Sequence, residues 1–297
     1  MSTRPAALLG AALAIVLLLA SCVSGLDSSR RTALPTVLGD VGSRPEIRFP
    51  ASAPPREFTT EVVEPGDGGA VEPGGLVLVH YLAQVWDGAE LDSSYDGGAP
   101  LVASLPGLPP GWGEALSGLR VGARVLLSVP PEVGYTAPGD AARHAESPDE
   151  TVVLVVDVVG SYGRTSGGQP DAWPNPVAAG TVAPRVTGAL GGPASVTVPP
   201  GSAPPTEVVT TVLARGTGPS VSPGPVIAQY AAVDWNGASA GNSWESGAPE
   251  QFLVSPADRA FAGLAGVPLG SRVLVQLPGD GGGNPAVAIV MDLVGQP

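Results

Sequence analysis

The chain has 297 residues, of which 43% are hydrophobic and 14% charged, so a folded protein is favoured over a disordered one. All 14 basic residues are arginine, which excludes chemistry based on a lysine amine, and the net charge of −13 argues against nucleic acid as a partner. The two histidines lie far apart and there is one cysteine, so we predict no metal site, no cofactor and no internal disulfide.

The N-terminus has the features of an exported lipoprotein. An apolar run covers residues 6–20 and is shorter than the about 20 residues that a membrane-spanning helix needs. It leads into Leu-Ala-Ser-Cys at 19–22, where small residues precede the only cysteine. We therefore predict a signal peptide over 1–21, lipid attachment at Cys22 and a tether over 22–36. A plain transmembrane anchor is the weaker alternative. The lipid would hold the protein on the extracytoplasmic side of the cell membrane.

The sequence then repeats itself. Trp-Asp-Gly-Ala at 86–89 recurs as Trp-Asn-Gly-Ala at 235–238, 149 residues later, and the same offset pairs Tyr81 with Tyr230. A repeat of this length indicates a tandem duplication of one domain.

The two copies define the predicted domain organisation. We place the units at 37–162 and 186–297. The segment 163–185 between them is rich in proline, glycine and small residues, so it is predicted to be a surface linker.

The first unit is dominated by strand signals, which are β-branched and apolar runs separated by glycine and proline. One short helix is predicted over 112–117, with Gly118 ending it in a left-handed residue. Alternation along one run places Tyr81 on the same face as core valines. The prediction is an α+β fold in which each unit wraps an antiparallel sheet around one short α-helix. The predicted strands are 58–63, 76–86, 101–104, 123–129 and 151–159.

Four stretches of the first unit occur together in an order that matches a known family. They are VHYLAQVWDGAELDSSYDGGAP at 79–100, GWGEAL at 111–116, Val121-Gly122 before a strand, and VPPEVGY ending at Tyr135. With them, residues 58–159 resemble an FKBP-type peptidyl-prolyl isomerase. The resemblance implies an enzyme that rotates prolyl peptide bonds without a metal, cofactor or nucleophile.

The resemblance also implies a pocket for a proline ring. Trp112 corresponds to its floor, Tyr135 to the hydroxyl that holds a substrate carbonyl, and Asp92 to a carboxylate at the rim that could orient Tyr81. These four are the predicted catalytic residues. The predicted substrate-binding residues are Leu91, Leu101, Leu108, Pro109 and Val156.

Each catalytic candidate also has a purely structural interpretation. Trp112 and Tyr81 could be ordinary core residues, because aromatic side chains mainly fill cores. Asp92 could bond only to the turn that follows it, and Tyr135 could belong to a plain proline-rich loop. Their joint order along the chain favours the functional interpretation.

The first unit departs from the family at its pocket walls. Leu91, Leu101 and Val156 stand where aromatic residues are usual, so the pocket is expected to be shallower and the activity weak.

The second unit departs further. Gly241 replaces Asp92, Glu250 replaces Leu101, and the loop that held Tyr135 is shortened. We predict that this copy is noncatalytic.

The predicted function is peptidyl-prolyl isomerisation in the first unit, acting on proline-containing segments of exported proteins. The alternative is a noncatalytic envelope lipoprotein whose two modules bind or scaffold protein partners. A solute-binding lipoprotein would need alternating strand and helix units, which the sequence does not show.

Overall fold

The computed structural model leaves part of the chain without description. The predicted signal peptide and Cys22 lie outside the described residues, and so does most of the loop that follows Tyr135. None of the helices in the described part is long and apolar enough to cross a membrane. The described residues are 33–109, 111–136, 149–175 and 184–297.

The first half of the chain forms a hairpin and a six-stranded antiparallel sheet. The hairpin is β1 (Thr36–Leu38) and β2 (Glu46–Arg48). The sheet strands are β3 (Thr59–Glu64), β4 (Leu76–Val85), β5 (Glu90–Ser93), β6 (Leu101–Ser104), β7 (Arg124–Val129) and β8 (Val152–Tyr162). In this first sheet the order is β3-β7-β8-β4-β5, and β6 also pairs with β4. The five predicted strands are therefore present, with ends that differ by at most three residues.

The second half repeats this plan. The strands of the second sheet are β9 (Trp173–Pro174), β12 (Val209–Arg215), β13 (Gly224–Asp234), β14 (Ser239–Asn242), β15 (Glu250–Val254), β16 (Arg272–Leu277) and β17 (Val287–Gly295), and a hairpin of β10 (Arg185–Thr187) and β11 (Ser195–Thr197) lies between β9 and β12 in the chain. The order in this seven-stranded sheet is β14-β13-β17-β16-β12-β9, and β15 also pairs with β13.

The central strands of the two sheets have matching registers. Tyr81 lies opposite Val156 in the β4–β8 ladder, and Tyr230 lies opposite Met291 in the β13–β17 ladder. Residues 149 positions apart therefore occupy equivalent places in β4 and β13, which allows direct comparison of the side chains on these two strands.

The predicted α+β class is wrong, because strands make up 41% of the structure and helices only 6%. The α-helices among the described residues are α1 (Trp112–Leu116) and α2 (Ser243–Ser246). Glycines flank and interrupt the predicted helix at 111, 113 and 118, and glycine costs about 1 kcal/mol relative to alanine inside a helix. The segment therefore makes little more than one turn. The corresponding segment on the second sheet forms only the 3₁₀ turn Ala262–Leu264.

The core of the first half lies between the sheet and α1. Alternate residues of β4, β7 and β8 point into it, as expected from the two-residue period of a strand. Its fully buried aliphatic side chains include Val77, Val79, Leu116, Leu127 and Leu154.

A buried ion pair holds the first hairpin on the first sheet. Arg124 donates from Nε and Nη2 to the carboxylate of Asp157, at 2.6 Å for each bond. The remaining guanidinium hydrogens are donated to the carbonyls of Gly39, Asp40 and Ser43, in the turn between β1 and β2. One residue pair thus links β7, β8 and the hairpin.

The second sheet has an equivalent buried ion pair, whose carboxylate also accepts a hydrogen bond from the segment between the two sheets. Arg272 pairs with Asp292 and donates to the carbonyls of Gly188 and Gly192 in the β10–β11 turn. The Oδ2 atom of Asp292 also accepts the amide of Gly168, at 3.0 Å. That glycine belongs to the segment between the two sheets.

The first part of this segment packs on the second sheet instead of crossing solvent. Gln229, buried in β13, donates to the carbonyl of Arg164 at 3.3 Å, and β9 pairs with β12. Trp173 in β9 is nevertheless 80% exposed. Residues 163–175 therefore contribute contacts to the second sheet, although composition predicts a plain surface linker.

Candidate active site

A phenol and a carboxylate form the polar edge of the site. Tyr81 lies on the core face of β4, and its hydroxyl donates to Oδ2 of Asp92 on β5, at 2.6 Å. The other oxygen of Asp92 accepts the amide of Ser93 at 2.8 Å. The carboxylate therefore bonds both to the backbone of the next residue and to the hydroxyl of the tyrosine.

Ser94 fixes the position of this pair. The amide of Tyr81 donates to Oγ of Ser94 at 2.8 Å, and Nδ1 of His80 lies 3.1 Å from the same oxygen. The ring of His80 stacks on Tyr95 with a centroid distance of 4.8 Å. These contacts tie the end of β5 to β4, so the hairpin presents Tyr81 and Asp92 rigidly. The sequence prediction did not include Ser94 in the site, although the residue lies inside the stretch that carries the resemblance.

Trp112 is the first residue of α1 and packs against Tyr81. The two ring centroids are 5.8 Å apart at an interplanar angle of 74°, an edge-to-face arrangement that aromatic pairs favour. The indole is only 1% exposed, so much of its surface is core.

Phe58 is a further aromatic residue at this place. A Cβ atom built on Gly111 would lie 2.6 Å from Cζ of Phe58, and Gly111 has φ = 85°. Only glycine satisfies both conditions at the start of α1. Phe58 was predicted to begin a strand, and its packing against the site was not predicted. Its aromatic side chain at the first position of that strand was the available signal.

Tyr135 belongs to the same buried cluster. It is 4% exposed, and burial together with the negative charge of Asp92 raises the pKa of its phenol well above the ordinary value. The hydroxyl therefore stays protonated and able to donate a hydrogen bond through the physiological pH range.

Most of the predicted substrate-binding residues surround this cluster. Val156 is fully buried within it, and Leu91, Leu101 and Leu108 are partly buried and pack against it. Pro109 is the exception, because it is not part of this cluster and lines an open cavity of about 380 Å³ beside α1 together with Leu108. The structure thus brings eight of the nine predicted residues to one place, seven through the cluster and Asp92 through its bond to Tyr81.

Comparison with known proteins supports a family assignment. Residues 68–159 match the family described as FKBP-type peptidyl-prolyl cis-trans isomerase. A probable FK506-binding protein of Corynebacterium glutamicum is 35% identical over 117 residues, which are 39% of this chain and 97% of that protein. The FKBP-type peptidyl-prolyl cis-trans isomerase FkpA of Escherichia coli is 37% identical over 99 residues, which are 33% of this chain but only 36% of FkpA. The crystal structure of Escherichia coli FkpA shares 36% identity and a TM-score of 0.30, covering 35% of this chain and 47% of that chain.

The matched region contains β4 to most of β8, with the phenol–carboxylate pair and the indole of the site. The Corynebacterium relative is covered almost from end to end at more than 30% identity. The chain therefore belongs to the FKBP-type peptidyl-prolyl cis-trans isomerase family, and the sequence-based prediction of this enzyme class is confirmed.

Proposed function

We propose that the chain is an exported lipoprotein with two FKBP-like copies, of which the first isomerises prolyl bonds in other exported proteins. The observation that carries the proposal is the pairing of the Tyr81 hydroxyl with Asp92 at the edge of a cluster containing Trp112 and Tyr135. An apolar base, a polar edge and a protonated phenol are the groups that binding a prolyl segment requires.

Prolyl isomerisation breaks no covalent bond, so the catalyst has only to bind the twisted form of the substrate. Rotation about a peptide bond costs about 18–20 kcal/mol because resonance holds it planar, and prolyl exchange consequently takes tens of seconds. The twisted form has lost this resonance and is less polar than either planar form. A dry pocket that holds the twisted form more tightly than the planar forms therefore accelerates the exchange.

Each residue has a distinct part in this mechanism. Trp112 and Leu101 would bury the pyrrolidine ring, and full burial of one apolar side chain contributes about 1.5–3 kcal/mol. Tyr135 would donate its hydroxyl to the substrate carbonyl. Asp92 would keep Tyr81 in place and accept a substrate N–H from the rim.

The proposed location depends on the N-terminal sequence. The apolar run that ends at Cys22 supports export and lipid attachment, which would place the first sheet near newly exported chains. Changing Cys22 to serine should release the protein from the membrane fraction and abolish incorporation of a labelled fatty acid. A Cys22→Ser variant that remained in the membrane fraction would contradict the anchor.

Catalysis can be tested with the full chain in a prolyl-exchange assay on a short peptide. Tyr135→Phe should lower kcat/KM by about tenfold, since one hydrogen bond contributes about 0.5–1.5 kcal/mol net. Tyr162→Phe is the matched control, because Tyr162 is a partly buried tyrosine in β8 that is not part of the site cluster, and it should leave the rate unchanged.

The alternative function is a noncatalytic envelope lipoprotein whose two modules bind or scaffold partners. The partly lost aromatic wall at Leu91 and Leu101 favours it. Absence of any acceleration by the wild-type chain would decide for this alternative.

A further inference from the structure

The second sheet keeps a tyrosine at the position of Tyr81 and holds it in the same way. The amide of Tyr230 donates to Oγ of Ser243 at 2.7 Å, which repeats the bond from Tyr81 to Ser94. The strand therefore delivers the phenol to an equivalent place on both sheets.

The carboxylate that accepts from this phenol has moved to another strand. A Cβ atom on Gly241, which stands in place of Asp92, would lie 2.7 Å from the hydroxyl oxygen of Tyr230, so a side chain there would collide with the ring. Tyr230 donates instead to Oε1 of Glu250 on β15, at 3.2 Å. The loss of one carboxylate is thus matched by the gain of another, and a phenol–carboxylate pair is kept with a different geometry.

A phenylalanine fills the space that remains between the equivalents of Tyr81 and Trp112. The ring of Phe252 lies 5.3 Å from Tyr230 and 5.1 Å from Phe261, edge to face with both. The first sheet has Ala103 at this register position, opposite Val77, just as Phe252 lies opposite Val226. The second sheet consequently has three aromatic rings in mutual contact where the first sheet has the pair Tyr81 and Trp112.

These three rings reach the surface. Tyr230, Phe252 and Phe261 are each partly exposed, whereas Tyr81 and Trp112 are 5% and 1% exposed. The carboxylate of Glu250 is exposed beside the rings, and no arginine in the described ranges forms an ion pair with it. Its bond to Tyr230 occupies one oxygen and leaves further acceptor positions.

We propose that the second sheet carries a binding site of its own, in which Glu250 and the rings of Tyr230, Phe252 and Phe261 take an arginine side chain of an extended polypeptide. A guanidinium group is planar, stacks on aromatic rings and donates several hydrogen bonds to one carboxylate. The net charge of −13 on the chain attracts basic segments to this surface. The site is separate from the prolyl pocket and does not depend on the proposed function of the first sheet.

The test uses the full chain and the peptide acetyl-Gly-Ala-Arg-Ala-Gly-amide, which lacks proline and so does not address the first sheet. Binding is followed by NMR shifts of the amides in 228–252. We expect weak binding, with a dissociation constant of roughly 30 mM to 0.2 M, because an exposed cation–π contact and an exposed ion pair each strengthen binding by only about two- to fivefold. The same peptide with citrulline, which has the shape of arginine without its charge, should bind at least about fivefold more weakly.

Two variants locate the site. Glu250→Gln and Phe252→Leu should each weaken binding of the arginine peptide by about fivefold, since each removes one of the two interactions. Glu245→Gln removes another exposed carboxylate of the same half of the chain and should have no effect. Unchanged thermal unfolding of all three variants confirms that they are folded.

Three results would overturn the proposal. One is equal affinity for the arginine and citrulline peptides. Another is an equal loss of affinity in Glu245→Gln and Glu250→Gln, which would show general attraction to an acidic protein. The third is the absence of any shift in 228–252 at about 100 mM peptide, a concentration within the range expected for the dissociation constant.

Discussion

The most direct test of what holds the first sheet together is the substitution Asp157→Asn. The carboxylate is completely buried and accepts four hydrogen bonds, two from Arg124 and one each from the Gly42 amide and the Tyr95 hydroxyl. The negative charge raises the pKa of Tyr95 further, after burial, which is the larger cause. Asparagine has nearly the same shape, but its NH₂ group would face the donors of Arg124 and leave a buried charge without its partner.

The expected loss of stability follows from these contacts. Removing one partner of a buried ion pair costs about 3–5 kcal/mol. Arg124 keeps the carbonyls of Gly39, Asp40 and Ser43 as acceptors, so the loss should lie near the lower value, about 3 kcal/mol. The free energy of unfolding falls by about 1–3 kcal/mol per molar urea, so the urea midpoint of the first sheet should drop by about 1–3 M.

Urea unfolding of the full chain, followed by circular dichroism and tryptophan fluorescence, measures this shift. Asp292→Asn makes the same change in the second sheet and should produce a loss of similar size. Asp96→Asn is the surface control, because Asp96 and its partner Arg44 have side chains 67% and 40% exposed, and it should cost less than about 1 kcal/mol. If Asp157→Asn were no more damaging than Asp96→Asn, the hydrogen bonds of Arg124 to the hairpin carbonyls would suffice, and the reasoning would be refuted.

Three further predictions concern the site. Tyr81→Phe removes the 2.6 Å bond to the half-buried Asp92 and should lower kcat/KM in the prolyl-exchange assay by about fivefold, or about 1 kcal/mol; an unchanged value would show that the pair does not orient the pocket. Ala103→Phe copies Phe252 of the second sheet and should lower kcat/KM by at least about tenfold, because the new ring would exclude the pyrrolidine ring of the substrate; the circular dichroism spectrum should be unchanged. Full activity would show that the substrate does not use the space beside Tyr81 and Trp112. Burial and the charge of Asp92 raise the pKa of Tyr135 above the ordinary value of about 10, so kcat/KM should stay flat between about pH 7 and 9.5. A decline in kcat/KM near pH 8.5 that Tyr135→Phe abolishes would contradict this flat profile. The tyrosine in the unfolded chain ionises at lower pH than the folded one, so the stability contributed by this phenol is fully present below about pH 10 and is lost as the pH rises further.

Strands were the most predictable part of the fold. The runs that became β4, β6 and β7 are largely apolar stretches bounded by glycine or proline, and these local properties do not depend on the rest of the chain. The fold class was nevertheless wrong, because the predicted helix was counted as a layer that packs against the whole sheet. Its glycines limit it to five residues, too few to form a layer.

The site was predictable to the extent that it lies in contiguous sequence. Tyr81 and Asp92 belong to one hairpin, so their contact follows from the turn and the register. Phe58 was missed because it reaches the site from a distant segment, and its role depends on the space left by Gly111. Pro109 was assigned to the pocket by its place before α1, and the structure places it with Leu108 in the lining of an open cavity beside that helix.

The amino-acid sequence by itself determined the periodic and local features: the strands, the 149-residue repeat and the tyrosine on the core face of each central strand. The tertiary structure alone decided which distant residues meet. It placed Gly168 on the buried carboxylate of Asp292, supplied Tyr230 with Glu250 as its acceptor, and put the ring of Phe252 where the first sheet has Ala103. Such contacts depend on the space and charge left by neighbouring side chains, and these quantities have no period along the chain.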